Sequence, residues 1–485
     1  MSAEVRKLEP QAMWSHFADL NAVPRPSKKE ERVIAFMKNF GESLGLPTTV
    51  DHVGNVIIKK PATPGMEDRV TVVIQGHIDM VHQKNATTDF DFNTQGIEMY
   101  VDGDWVKAKG TTLGADNGIG VACAMALLSS TDIPHPAIEG LFTIDEETGM
   151  TGALELKGGM LDGSILLNLD TEDDDELTIG CAGGVDVTGT GKYNTATVAG
   201  LKGYGIAVKG LTGGHSGMDI HRGRGNANKL MNRILYQGAK QFGLRVSSID
   251  GGSLRNAIPR ESFAVVGVPA ENAAAFEAFI AAETKAILAE HSFTDPKMVI
   301  SATASNSPEK VFDADFQGKL LRSLYAVPSG IYRMSPDIPG LVQTSNNLAR
   351  VLIKDGEYTI QCLTRSSVDS EKVDLASGIE GTLELAGAEV TFSGNYPGWA
   401  PRPGSAIVEL MTELYRDIFK AEPHVNACHA GLECGILGTN YPDMEMISFG
   451  PNIRGAHSPD ETVQISSVAK SWKLLLAALE KTPKK

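Results

Sequence analysis

The run Val70-Thr-Val-Val-Ile, followed at once by Gln-Gly-His77-Ile-Asp79-Met, constrains the fold more than any other stretch of the chain. A continuous apolar segment rich in β-branched residues reads as a strand buried on both faces, as in sheets covered by helices on either side. The pattern recurs. Leu141-Phe-Thr-Ile runs into Asp145-Glu146-Glu147, Ser164-Ile-Leu-Leu-Asn-Leu runs into Asp170, and Met444-Glu-Met-Ile-Ser-Phe leads through Gly450-Pro-Asn-Ile-Arg-Gly-Ala to His457. The glycine-rich segment Gly110-Thr-Thr-Leu-Gly-Ala-Asp116-Asn-Gly-Ile-Gly opens an apolar helix that reaches Leu128. This alternation predicts an α/β domain with a mainly parallel sheet. In such sheets ligands bind beyond the carboxyl ends of the strands. Here four strand ends each deliver a His, Asp or Glu, and one helix start delivers another Asp.

At 485 residues the chain exceeds the size at which one hydrophobic core stops growing, so two domains are expected. Residues 10–45 read as helical, broken by Pro24 and Pro26 and resumed at Ser27-Lys-Lys-Glu-Glu, which resembles a capped helix start. From about Val187 to Tyr396 the texture changes to short strands (204–208, 263–268, 358–363) and helices with no further acid cluster. Because His457 lies beyond this stretch, it reads as an insertion. The expected division is 1–186 and 398–485 for the metal-carrying domain and 187–397 for an inserted α+β domain, with the return at the turn-rich Asn395-Tyr-Pro-Gly-Trp-Ala-Pro. A short internal echo, Gly251-Gly-Ser-Leu-Arg-Asn256-Ala-Ile-Pro against Val342-Gln-Thr-Ser-Asn-Asn347-Leu-Ala, suggests a duplicated module.

The net charge of −16 argues against nucleic-acid binding, which needs a basic surface to displace counterions. Five scattered cysteines, none in a CxxC pair, supply neither a disulfide framework nor a thiolate zinc site. No run approaches the ~18 apolar residues of a membrane span, and the N-terminus lacks the apolar core of a secretory signal. A cytoplasmic protein without membrane association is expected.

His77, Asp116, Glu147, Asp170 and His457 offer imidazole nitrogens and carboxylate oxygens, a donor set suited to zinc and related divalent metals. Five side chains give three contacts to each of two ions only if one carboxylate bridges. Two such ions would offset the charge of so many acids, which would be strongly unfavourable if buried together without a cation. Asp79, two residues after His77 on a strand end, points to the same side and is placed to orient the imidazole. Each position has a plainer reading: Asp116 as a helix cap, Glu146 and Glu147 as a solvated strand end, and most of Asp170-Thr-Glu-Asp-Asp-Asp-Glu as a solvated loop. Their joint placement at sheet ends favours metal.

The chain resembles the co-catalytic zinc exopeptidases, the family that includes glutamate carboxypeptidase, aminoacylases and cytosolic dipeptidases. The resemblance runs from Pro24-Arg-Pro-Ser to Trp472. It is carried by Gly76-His77-Ile-Asp79-Met, Gly114-Ala-Asp116-Asn-Gly, Asp145-Glu146-Glu147-Thr-Gly, Asn168-Leu-Asp170, Gly213-Gly-His215-Ser-Gly, His429-Ala-Gly-Leu-Glu-Cys-Gly and Gly455-Ala-His457-Ser-Pro-Asp-Glu. The last two point to the Xaa-His branch. The resemblance implies metal-dependent hydrolysis of unblocked dipeptides, preferably with histidine on the carboxyl side, by two zinc ions that cobalt or manganese could replace. It assigns His77 and Asp170 to one ion, Glu147 and His457 to the other, Asp116 as the bridge, Asp79 as support for His77, and Glu146 as the general base. It implies that His215 contacts the scissile carbonyl. It offers Arg365 for the substrate carboxylate and Asn347 or Asn256 for a carbonyl, while charge complementarity suggests Glu433 for the free amino group. A homodimer through the inserted domain also follows from it. Two alternatives stay open: deacylation of N-acyl amino acids by the same machinery, and a metal-loaded binding protein without catalysis.

Overall fold

The computed structural model describes residues 3–485, which divide into two compact units. One runs to Gly180 and resumes over Trp399–Ala427 and Leu432–Lys485; the other comprises Cys181–Gly398 with Cys428–Gly431.

In the first unit the apolar runs form the centre of an eight-stranded sheet. Strands Ile138–Thr143, Val72–His77, Ile165–Asn168 and Glu445–Ser448 lie side by side and parallel. Antiparallel partners flank them, Val56–Lys60 with Thr48–Val50 on one side and Glu176–Cys181 on the other. The sheet is therefore mixed at its margins and parallel where the candidate ligands arise. All six residues of Val72–His77 are buried, as a strand covered on both faces requires. Helix Ala115–Ser129 is buried almost all round from Asn117 to Leu128, which explains its continuous apolar sequence.

The expected cap at Ser27 is not formed. The helix after Pro26 is Glu31–Ser43, and no side chain caps it. Ser27 Oγ donates instead to Asp79 Oδ2 at 2.7 Å.

The second unit is α+β. Its main sheet runs, from edge to edge, Val299–Ser305, Leu201–Lys209, Ser262–Pro269, Arg245–Gly252, Val342–Lys354, Glu357–Ser366, Gly183–Lys192 and Glu389–Tyr396. The order helix, strand, strand, helix, strand occurs twice. Ala227–Phe242 through Val299–Ser305 supplies one copy and Ala314–Ala326 through Glu389–Tyr396 the other, apart from the short added strand Gly330–Met334. The two halves meet at the antiparallel pair Ile249↔Ile353. Leu230, Met231, Ile234 and Leu235 of the first helix and Leu320, Leu321 and Leu324 of the equivalent one enter a single core at helical spacing. Within this order Asn256 lies in the loop between two strands, whereas Asn347 lies inside a strand, so the two asparagines that the sequence echo equates are not equivalent. No helix among the described residues is long and apolar enough to cross a membrane, and no disulfide is formed among them.

Candidate metal centre

Sheet register brings the candidate ligands to one level. His77 ends its strand opposite Thr143, and Gln75 lies opposite Asn168, so Asp170 emerges beside His77 two residues further on. Beyond Thr143 the chain turns through Asp145 (φ 53°) into the short helix Glu146–Gly149. Glu146 and Glu147 are thus the first residues of a helix rather than the last of a strand. Asp145 accepts from Lys28 Nζ, Thr148 Oγ1 and Thr151 Oγ1, which fixes that turn.

Asp116 and Asn117 have non-helical backbone angles at the entrance of helix Ala115–Ser129, and the Asp116–Asn117 peptide is cis. Asn117 Nδ2 donates to Leu169 O at 2.5 Å, tying this entrance to the strand that precedes Asp170. Asp116 does not cap the helix. Its Oδ1 lies 3.1 Å from His77 Nε2 and its Oδ2 lies 3.1 Å from His457 Nε2. His77 Nε2 also lies 3.6 Å from Asp170 Oδ1, and His457 Nε2 lies 3.0 Å from Glu147 Oε2. Potential ligand atoms therefore gather in two sets that share Asp116: His77, Asp116 and Asp170 in one, Asp116, Glu147 and His457 in the other, with the atoms of each within 4.8 Å of one another. Glu146 gathers with His77 and Glu147 in the same way. His457 does not sit at a strand end as expected. It follows strand Ile453–Arg454 of a separate four-stranded sheet, in a left-handed conformation (φ 63°).

Asp79 is fully buried and stands behind His77, its Oδ1 3.3 Å from His77 Nδ1. It also accepts from the amides of Glu146 (3.1 Å) and Glu147 (3.3 Å), so one carboxylate faces the edge of the imidazole and holds the backbone of both glutamates.

The electrostatics suit a cation. Burial depresses the His77 imidazole, but Asp170, Asp116 and Asp79 overcome it and hold the group well above its ordinary range. Hydrogen bonds donated to Asp116 and Glu147 raise His457 to about 11. Burial raises Asp116, yet its two imidazole partners bring it below the ordinary carboxylate range. Burial, with carboxylates close by, raises Asp170 to about 6 and Glu146 well above its usual value. Positive charge is thus drawn to the space between these acids. Glu147 Oε1 is buried without a hydrogen-bond partner, as expected of a ligand oxygen whose partner is an ion. The nitrogen and oxygen donor set fits zinc, cobalt or manganese.

Glu433 is fully buried in the same unit. Its Oε2 accepts from Gln75 Nε2 (2.6 Å) and Thr143 Oγ1 (2.7 Å), while its Oε1 has no partner, and burial raises its carboxyl to about 7.

In the second unit, His215 Nδ1 accepts from the amides of Gly217 (3.1 Å) and Met218 (3.0 Å), so the ring proton sits on Nε2. Burial and the Arg365 charge lower this imidazole to about 4, which keeps it neutral. Arg365 is buried and donates to Tyr396 Oη at 2.8 Å and, at 3.4 Å, to Ser216 Oγ. Asn347 Nδ2 is already committed to the carbonyls of Arg255 (3.0 Å) and Ala257 (2.8 Å), whereas Asn256 is exposed.

Sequence reasoning assigned no role to Arg25 or Glu461. Their signal was indirect: a glycine-rich helix entrance leaves amide groups that need an acceptor, and Glu461 closes the quoted His457 motif.

Residues 73–481 match the family model described as Peptidase family M20/M25/M40. The chain is 41% identical over 484 residues to the cytosol non-specific dipeptidase of Escherichia coli (strain K12), covering 100% of each sequence. The crystal structure of aminoacylhistidine dipeptidase from Vibrio alginolyticus matches with a TM-score of 0.93 at 44% identity, covering 100% of this chain and 99% of that one. Aminopeptidase PepT from Bacillus cereus ATCC 10987 shares the fold at 15% identity, with a TM-score of 0.58 over 98% of this chain and 99% of its own. With a family match over most of its length and a full-length relative at that level of identity, the chain belongs to peptidase family M20/M25/M40.

Proposed function

We propose that the chain is a two-zinc dipeptidase that hydrolyses unblocked dipeptides and prefers histidine on the carboxyl side. The observation that carries this reading is Asp116, whose two oxygens face two different imidazoles, as a bridging ligand's must. His77 and Asp170 would hold one ion, Glu147 and His457 the other. Bound there, the ions would supply Lewis acidity toward the peptide carbonyl and lower the pKa of an attacking water.

The protein's own groups do the rest. Glu146 takes the proton of the attacking water and passes it to the leaving amine nitrogen, and a carboxyl held above its usual range suits that return step. Asp79 keeps His77 Nε2 directed at Asp116 by occupying the Nδ1 side. His215, neutral and with its proton on Nε2, is equipped to donate a hydrogen bond to the developing oxyanion. Arg365 suits the terminal carboxylate through paired N–H donors. Asn347 and Glu433 remain candidates on the resemblance and on charge. Glu433, being fully covered, meets a substrate amine only if a neighbouring side chain moves.

The relatives' names support the class. One is called a non-specific dipeptidase and the other an aminoacylhistidine dipeptidase, which supports a histidine preference within a broad range. The resemblance supports a homodimer through the inserted domain, and the net charge of −16 argues against a nucleic-acid partner, as the lack of a long apolar run does against a membrane-spanning one. The word cytosol in the Escherichia coli protein's name supports a cytoplasmic location.

The test is hydrolysis of β-alanyl-histidine and a panel of free and N-acetylated dipeptides by metal-free and zinc-reconstituted protein. Zinc-dependent release of histidine from free dipeptides alone is the expected result. Activity confined to acetylated substrates would reassign the chain as a deacylase.

A further inference from the structure

Glu461 is 3% exposed, and its carboxylate meets four consecutive backbone amides. Oε2 accepts from Leu113 N at 2.7 Å and Gly114 N at 2.9 Å, and Oε1 accepts from Ala115 N at 2.7 Å and Asp116 N at 3.1 Å. The four amides converge because Gly114 adopts φ 69° at a helix entrance, where N–H groups have no intrahelical acceptor.

The carbonyl side of the same loop is held by Arg25, which is 2% exposed. Arg25 Nη2 donates to Gly114 O at 2.6 Å and Asn21 Oδ1 at 2.9 Å, and Nη1 donates to Asp79 O at 2.9 Å. A Cβ on residue 114 would lie 2.5 Å from Arg25 Nη2, so the glycine is required twice over. Glu461 also belongs to the turn that presents His457, with its amide donating to Ser458 O at 3.1 Å. One carboxylate therefore fastens the turn carrying His457 to the loop carrying Asp116. Arg25 fastens that loop to the strand end after His77. Burial, with the Asp116 charge nearby, holds the Glu461 carboxyl above its ordinary range, and the amide hydrogen bonds oppose that shift without cancelling it.

We propose that Glu461 is a positioning residue for the metal pair: it sets the Asp116 carboxylate between His77 and His457, with Arg25 bracing the loop from the opposite side, and touches neither ion nor substrate. This rests on the two-metal reading of the same site. A helix cap with no further role would lower stability when removed but would leave the second ion's affinity and the coupling between ions unchanged.

Glu461→Gln places an amide NH2 against two of the four N–H groups, and Glu461→Asp keeps the charge but shortens the reach. Metal-free protein is titrated with Zn2+ against a chromophoric chelator, and Mn2+-loaded protein is examined by electron paramagnetic resonance for exchange coupling between the ions. The unsubstituted chain should bind two ions. Glu461→Gln should lose about 10–100-fold in affinity for the second ion and lose the coupling, with Glu461→Asp between. Two ions held by Glu461→Gln at unchanged affinity and coupling would overturn the proposal. Fewer than two ions in the unsubstituted chain would overturn the two-metal reading instead. Should neither variant fold, hydrogen exchange of the unsubstituted metal-free protein decides. The amides of Leu113–Asp116 should exchange slowly, and exchange at the rate of an open loop would contradict the clamp.

Discussion

His429 offers a prediction whose size can be worked from the structure. It is 7% exposed, and its Nε2 pairs with Ser345 Oγ at 2.7 Å. Burial, followed by the charges of Arg365, His215 and His221, lowers the imidazole to about 3 from an ordinary 6.5. The folded state therefore keeps His429 neutral where the unfolded chain would protonate it. Stability from this group is complete above pH 6.5 and is lost as pH falls toward 3. At pH 5 the unfolded chain stands about 1.5 units below its own midpoint, so the loss between pH 7 and 5 is about 2 kcal/mol. His429→Gln keeps a partner for Ser345 but cannot titrate. Urea denaturation of both proteins at pH 7, 6 and 5 should show the stability gap between them shrinking by about 2 kcal/mol. Other titrating groups cancel in the difference. A gap that stays constant over this range would refute the neutral, buried His429.

Asp79→Asn retains the shape of the side chain but turns an amide toward the Glu146 and Glu147 N–H groups, and metal affinity should fall about 10–100-fold in a competitive chelator titration; unchanged affinity would remove Asp79 from the account. Asn347→Ala leaves the carbonyls of Arg255 and Ala257 without their donor and should cost about 1–3 kcal/mol in denaturation. Asn256→Ala, at an exposed loop position, should stay within about 0.5 kcal/mol. If Asn256→Ala alone alters KM or kcat, the substrate-facing asparagine is Asn256; an effect confined to Asn347→Ala, measured where that variant is fully folded, would assign it to Asn347.

The strand ends were legible because a doubly buried parallel strand leaves an uninterrupted apolar run, and the strand ends shortly after it. The run at Val72–Ile74 announces the strand that ends at His77, and the run at Ile165–Leu167 announces the one that Asp170 follows by two residues, with Gln75 and Asn168 as polar members inside the strands. The helix that begins at Glu146 was not legible, since Asp145 reaches it by a left-handed turn and stabilises it through Lys28, Thr148 and Thr151. Ser27 looked like a cap because serine before acids usually is one, but a buried carboxylate, Asp79, competes successfully for its hydroxyl. His457 was traced to the sheet's last strand, whereas a second small sheet carries it. Pairings across long sequence separations, such as Glu461 with the Leu113–Asp116 amides, leave no local periodicity to read.

The central claim is that Glu146 moves protons beside a metal pair that it does not itself assemble. Glu146→Gln tests it most directly, with metal content by elemental analysis and turnover of β-alanyl-histidine measured on the same preparation. Two ions retained with turnover reduced by about 10²–10⁴-fold is the expected result. Turnover within tenfold of the unsubstituted protein, or loss of metal together with activity, would contradict it.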